Sequence, residues 1–146
     1  MSNSNSIRQF VRAAYYGDEN TVRLLLLTSK VNINDKDIFG STALMCAANN
    51  NRNSMISLLI DKGADINIKD NDGCTVLMLA VKNNKESITV SLIIDKGADI
   101  NMKNNNGETA LMIAVINNRE SMVSLLIDKG ADINMKNNVS IIVFKI

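Results

Sequence analysis

At 146 residues and 46% hydrophobic side chains, the chain is long enough for one compact or stacked domain. A net charge of +1 removes any global electrostatic case for nucleic acid, and an aromatic content of 3% weakens base stacking. The absence of His excludes Ser-His-Asp and Cys-His catalysis and removes the commonest metal ligand; two unrelated cysteines cannot build a structural zinc site.

The polar start, residues 1–6, is expected to be flexible. Phe10-Val11-Arg12-Ala13-Ala14 then forms a short apolar run, Gly17-Asp18 a turn, and Val22 to Leu27 a second run. Val31-Asn32-Ile33-Asn34 follows as a loop. From Gly40 the same plan recurs more regularly. One unit opens Gly40-Ser41-Thr42-Ala43-Leu44-Met45, the next Gly73-Cys74-Thr75-Val76-Leu77-Met78, and the third Gly107-Glu108-Thr109-Ala110-Leu111-Met112. Thr42, Thr75 and Thr109 suit helix N-caps, because a hydroxyl can meet the unpaired N–H groups of a first turn. The apolar runs behind them are too short to be helical alone and need neighbours.

Asn-rich breaks come next: Asn49-Asn50-Asn51, Asn83-Asn84 and Asn117-Asn118. Asn tolerates the left-handed region and can turn a chain without Gly. Second apolar runs follow at the i, i+3, i+4 spacing of an amphipathic helix, around Met55 to Ile60, Val90 to Ile94 and Met122 to Ile127. Each ends in Asp-Lys-Gly-Ala-Asp-Ile-Asn, beginning at Asp61, Asp95 and Asp128, a period of 34 and then 33 residues. Gly stops the helix and Lys sits near its negative end. Self-similarity at this period is the mark of a stacked repeat protein. The unit reads as helix, turn, helix and a long hairpin-like loop, and the fold class as all-α, a solenoid.

The middle unit is one residue longer, and alignment of Val90-Ser91-Leu92 with Ile56-Ser57-Leu58 puts the extra residue between Lys82 and Thr89. A longer inter-helix turn is expected, the alternative being a π-bulge in the helix. Asp65, Asp99 and Asp132 hold one slot of a repeated loop and read as turn acceptors rather than paired catalytic carboxylates. Cys46 falls on the apolar face of a first helix and is expected in the core. Cys74 holds a variable loop position and is expected to be exposed. No disulfide is expected. Asn138-Val139-Ser140 matches a glycosylation sequon, but no signal peptide or membrane-spanning stretch is evident, so an intracellular, cytoplasmic location fits best. Richness in Asn, Lys and Ile without Pro points to an AT-rich genome; for a viral or intracellular-pathogen source the expected place is the host cytoplasm.

These units resemble the ankyrin repeat, with its Gly-x-Thr-Pro-Leu-His-x-Ala-Ala, Gly-His, Leu-Leu and Gly-Ala-Asp-Val-Asn pattern. The resemblance covers nearly the whole chain. It divides residues 7–146 into a degenerate N-terminal capping repeat (7–39), full repeats at 40–72, 73–106 and 107–139, and a partial fifth at 140–146. Arg8, Gln9, Arg12 and Arg23 fit the polar outer face that a terminal repeat needs. Two departures are consistent: Ala43, Val76 and Ala110 replace the Pro, and Met45, Met78 and Met112 replace the His as apolar plugs. The apolar tail Val139 to Ile146 reads as the stub of a longer array in preference to a cover for the stack's end, and is an aggregation hazard.

The resemblance implies a non-catalytic interaction module. Its partner is a protein, docked on the concave side of loop tips and first helices. The expected state is a monomer, with no nucleic acid, membrane, metal or cofactor. An alternative is the targeting or adaptor part of a longer protein whose effector domain, such as a ubiquitin-ligase adaptor or an enzyme, lies outside this chain. By position, the binding residues are Lys36, Ile38, Phe39, Ser41, Asn49 and Asn50 in the second repeat. In the third they are Lys69, Asn71, Asp72, Cys74, Lys82 and Asn83. In the fourth they are Lys103, Asn105, Asn106, Glu108, Ile116 and Asn117. Ile38, Phe39 and Ile116 are apolar where loops and turns are normally polar, which is the character of hot spots. The bland alternative folds Phe39 back over the first repeat. Lys36, Lys69, Lys103 and Lys136 share one slot and should align as a ladder. It either steers an acidic partner or is simply a solvated face balanced by Asp70 and Asp72, the second being preferred.

Overall fold

Three of the first helices begin on a threonine. The Thr42, Thr75 and Thr109 hydroxyls accept from the N–H groups of Met45, Met78 and Met112 at 3.4, 3.4 and 3.3 Å. The computed structural model, which describes residues 4–138, pairs the helices in chain order. They are α1 (Ser4–Tyr16) with α2 (Glu19–Leu27), α3 (Ala43–Ala48) with α4 (Asn53–Asp61), α5 (Val76–Lys82) with α6 (Ser87–Asp95), and α7 (Ala110–Ile116) with α8 (Glu120–Asp128). Helices of six or seven residues do not persist alone. Here Leu44, Leu77 and Leu111, with the three methionines, are fully buried between neighbouring units. The methionines act as plugs, and the Thr109 N–H also donates to the Met112 Sδ at 3.5 Å. The first helices α1, α3, α5 and α7 pack closely in a row, and the second helices meet one another less. The row of first helices is the inner layer.

Turns between paired helices follow the asparagines. Asn51, Asn84 and Asn118 hold φ of 52°, 51° and 54°, the left-handed region that Asn tolerates. The extra residue lies in the turn, where Glu86 precedes α6. Lys85 donates to the Ala80 carbonyl as Arg52 and Arg119 do to Ala47 and Ala114, so the turn closes the same way in all three repeats. Helices α4, α6 and α8 each have nine residues, which leaves no place for a π-bulge. Thr89, buried in α6, is satisfied from the preceding repeat by Asn53 Oδ1 at 2.9 Å.

The first pair differs from expectation in two ways. Helix α1 begins at Ser4, inside the polar segment expected to be flexible. The outer face is also not uniformly polar: Leu24 and Leu27 of α2 are 60% and 82% exposed. Leu27 stands last in its helix, where α4, α6 and α8 end on Asp. In the later repeats that aspartate reaches the next unit, Asp61 to Lys96 at 3.0 Å and Asp95 to Lys129 at 2.6 Å. The expected stub at 140–146 lies outside the described residues.

Long loops stack as hairpins joined edge to edge. Each tip is closed by a side-chain acceptor: Asp37 Oδ1 takes the Phe39 and Ser41 N–H groups, Asp70 those of Asp72 and Cys74, and Asn104 those of Asn106 and Glu108. Asp65, Asp99 and Asp132 act as turn acceptors, each taking an N–H two residues on. Their own N–H groups donate to Asn34, Asn67 and Asn101 of the preceding repeat, each at 2.9 Å.

Candidate interaction surface

The lysine ladder does form, but its ammonium groups are engaged. Lys36 Nζ donates to the Lys69 carbonyl at 2.7 Å, Lys69 to that of Lys103 at 2.6 Å, and Lys103 to that of Lys136 at 2.7 Å. Each lysine ties its hairpin to the next. This corrects the preferred expectation of a merely solvated face. Asn71 and Asn105 also stitch. Asn71 Nδ2 points to the Ile38 carbonyl at 3.5 Å, and Asn105 Nδ2 to that of Asn71 at 3.2 Å. Asn49 Oδ1 accepts from Asn83 Nδ2 at 2.8 Å, linking the ends of α3 and α5. Asn50 and Asn117 turn back onto the carbonyls of Cys46 and Ile113. Ser41 is half-buried in its hairpin arm.

The apolar positions remain open. Ile38, Phe39 and Ile116 are 83%, 69% and 54% exposed, so Phe39 does not fold back over the first repeat. Ile116 ends α7 and borders a groove of about 360 Å³ between the third and fourth repeats. That groove gathers Asp72, Lys82, Asn105, Asn106, Glu108 and Asn117, with Cys74 and Ile113 also lining it. It therefore runs from hairpin tips to inner-helix ends. Glu108 is held at its wall by Asn104 Nδ2 at 2.9 Å.

Both cysteine expectations need correction. Cys74 is 3% exposed, with its hairpin arm lying against the next hairpin, where Asn104 Nδ2 lies 3.9 Å from its Sγ. Cys46 is only half-buried and faces a second recess, of about 330 Å³, against α1. Burial, with the charge of Asp37 adding repulsion, pushes the Cys46 thiol up to about 11. Burial, then Asp70, also raises Cys74. Both remain free thiols, protonated and poorly nucleophilic at neutral pH.

Sequence reasoning missed the α1 side of this face. Arg8, Arg12 and Tyr15 line recesses with Asp37 and the first hairpin. The available signal was an i, i+4 arginine pair opposite the buried stripe of Phe10, Ala13 and Ala14. It was read instead as the polarity of a cap.

Helix pairs of this period, threonine caps on the inner row and hairpins stitched at every step are on the molecule. A family model for ankyrin repeats in three copies matches residues 10–104 and 58–137. The chain belongs to the ankyrin repeat family. Ankyrin repeats are generally protein–protein interaction modules and typically non-catalytic. No curated protein matches this chain. No helix among the described residues is long and apolar enough to cross a membrane.

Proposed function

We propose that this chain is a non-catalytic module that binds a protein partner through its inner face, with Ile38, Phe39 and Ile116 as the apolar anchors. The carrying observation is the exposure of these three side chains on a face whose lysines and asparagines are largely engaged in internal bonds. A folded domain gains nothing by leaving large apolar groups on hairpin tips and helix ends, whereas an interface uses such groups at its centre. Asp72, Lys82, Asn106 and Glu108 around the C-terminal groove supply the polar rim. The engaged lysines set the register of the hairpins and so present the anchors in one array.

The test is partner binding by the wild type and by a variant carrying Ile38→Asp, Phe39→Asp and Ile116→Asp. All three sites are exposed, so the fold persists, and thermal melting by circular dichroism checks it. The variant is expected to lose at least about a hundredfold in affinity, since hot-spot losses run to 2 kcal/mol or more each. Wild-type affinity in the variant would remove this site from consideration.

A further inference from the structure

The N-terminal half of the inner face has an electrostatic character that the C-terminal groove lacks. Two recesses, of about 290 and 330 Å³, adjoin along α1 and share Arg8 and Asp37. They form one trench between α1, α3 and the first hairpin. Its apolar walls are Ile7, Ile38 and Phe39 at one end and Val11 and Tyr15 at the other. Arg8 and Arg12 lie along it, one helical turn apart and exposed. Among the described residues, neither has a carboxylate within ion-pair distance; the ion pairs lie elsewhere, at Arg23–Glu19, Lys96–Asp61 and Lys129–Asp95. Arg12 leans on the Tyr16 ring, 5.7 Å from its centroid, and no hydrogen bond within the described residues is recorded for its guanidinium group. The one acid of the trench, Asp37, accepts the Phe39 and Ser41 N–H groups through Oδ1 at 2.9 Å each and keeps its charge, which the cations Arg8, Arg12 and Lys36 along the trench outnumber.

We infer that this trench takes an extended acidic peptide segment with two carboxylates two residues apart, flanked by apolar side chains. This rests on the reading of the inner face as an interaction surface and names the partner's chemistry. The spacing fits: one helical turn separates the arginines by about 6 Å along α1, and alternate residues of an extended chain stand about 6.6 Å apart on one side. Guanidinium groups bind carboxylates bidentately, so two unpaired arginines in register select two acids more sharply than a diffuse positive field would. The apolar flanks of the peptide lie against Phe39 and Ile38 on one side and Tyr15 on the other. A duplex or single strand is a poor fit, because two free cations neutralise too few phosphates to hold nucleic acid at physiological salt. A membrane is a poor fit because the arginines line a recess between two elements, which admits a strand but not a plane.

The experiment selects binders from a random-peptide display library with the full chain. A synthetic peptide of the winning sequence is then titrated by fluorescence anisotropy. The expected result is enrichment of Asp or Glu at positions i and i+2 with apolar neighbours. Affinity should fall about tenfold or more in Arg8→Gln/Arg12→Gln and in Phe39→Asp, with Ile116→Asp unchanged. Exchange of the two acids for Gln should cause a similar loss, and added salt should weaken the wild-type complex. Melting temperatures of the variants check that they are folded. Selected peptides without acidic enrichment, or equal binding by Arg8→Gln/Arg12→Gln, would overturn the inference. If such peptides still depend on Ile38, Phe39 or Ile116, the inner-face reading stands without it. Absence of any binder, or binders that map to the outer helices, overturns both. Arginine-dependent binding to phosphatidylserine vesicles or to single-stranded DNA, in place of the peptide, also overturns it.

Discussion

Lys69 spends its charge on a carbonyl one repeat away rather than on solvent. A partly buried hydrogen bond from a charged donor contributes about 1 kcal/mol after allowance for screening. Lys69→Met, which keeps most of the stem, should therefore lower the free energy of urea unfolding by about that amount. Lys82→Met, at an exposed site, should change it by less than about 0.5 kcal/mol. The glycines separate in a similar way. Gly63 and Gly73 both have positive φ, 93° and 76°. A Cβ on Gly63 meets nothing within 4 Å, but one on Gly73 would lie 2.7 Å from the Asn105 backbone N. Gly63→Ala should cost about 1 kcal/mol for the left-handed backbone alone. Gly73→Ala should cost clearly more in the same unfolding assay, because the hairpin tips must part. Cys46 carries a pH prediction. Its thiol is raised from 9.0 to about 11 in the folded chain, so between those values the unfolded chain releases a proton that the folded chain keeps. Stability attributable to this group is complete below pH 9 and is lost as pH rises through about 11. Melting curves across that window should fall more steeply for the wild type than for Cys46→Ala.

At the scale of elements, the longer third repeat absorbs its extra residue at Glu86, where the chain runs between helices without a side-chain cap. Deletion of Glu86 should give a turn like that of the neighbouring repeats and leave the melting temperature within a few degrees. Deletion of Ser91, within α6, should lower it far more, because it rotates the buried Val90 and Ile93 relative to each other. The helices and turns were largely legible from local rules: Thr42, Thr75 and Thr109 behave as caps, and Asn51, Asn84 and Asn118 turn the chain, because each acts on atoms a few residues away. The hairpins were less legible. The Lys36-Lys69-Lys103 series announces a ladder, but its bonds span 33 or 34 residues. Nothing local says that an ammonium group will find a carbonyl there. Cys74 was misplaced for the same reason, since its surroundings include Asn104 of the next hairpin, 30 residues on.

For the molecule as a whole, the principal helix contacts among the described residues are within a repeat or between neighbouring repeats, so stability is approximately a sum of units and interfaces. Function then resides in what the array displays. The C-terminal part of the candidate face was traceable by aligning repeats, because Asp72, Glu108 and Ile116 each fall at a slot whose residue differs between repeats, and they converge on one groove. The trench along α1 was not, because it depends on Phe39 staying off the first repeat and on the exposed Arg8 and Arg12 bordering recesses that also include Asp37. The most direct test of the inner-face account is amide hydrogen exchange of the chain with and without its bound protein partner. Slowed exchange concentrated at 36–41, 72–74 and 104–108, and at the ends of α5 and α7, is the expected result. Protection confined to the outer helices α2, α4, α6 and α8, with those hairpin tips unchanged, would contradict it.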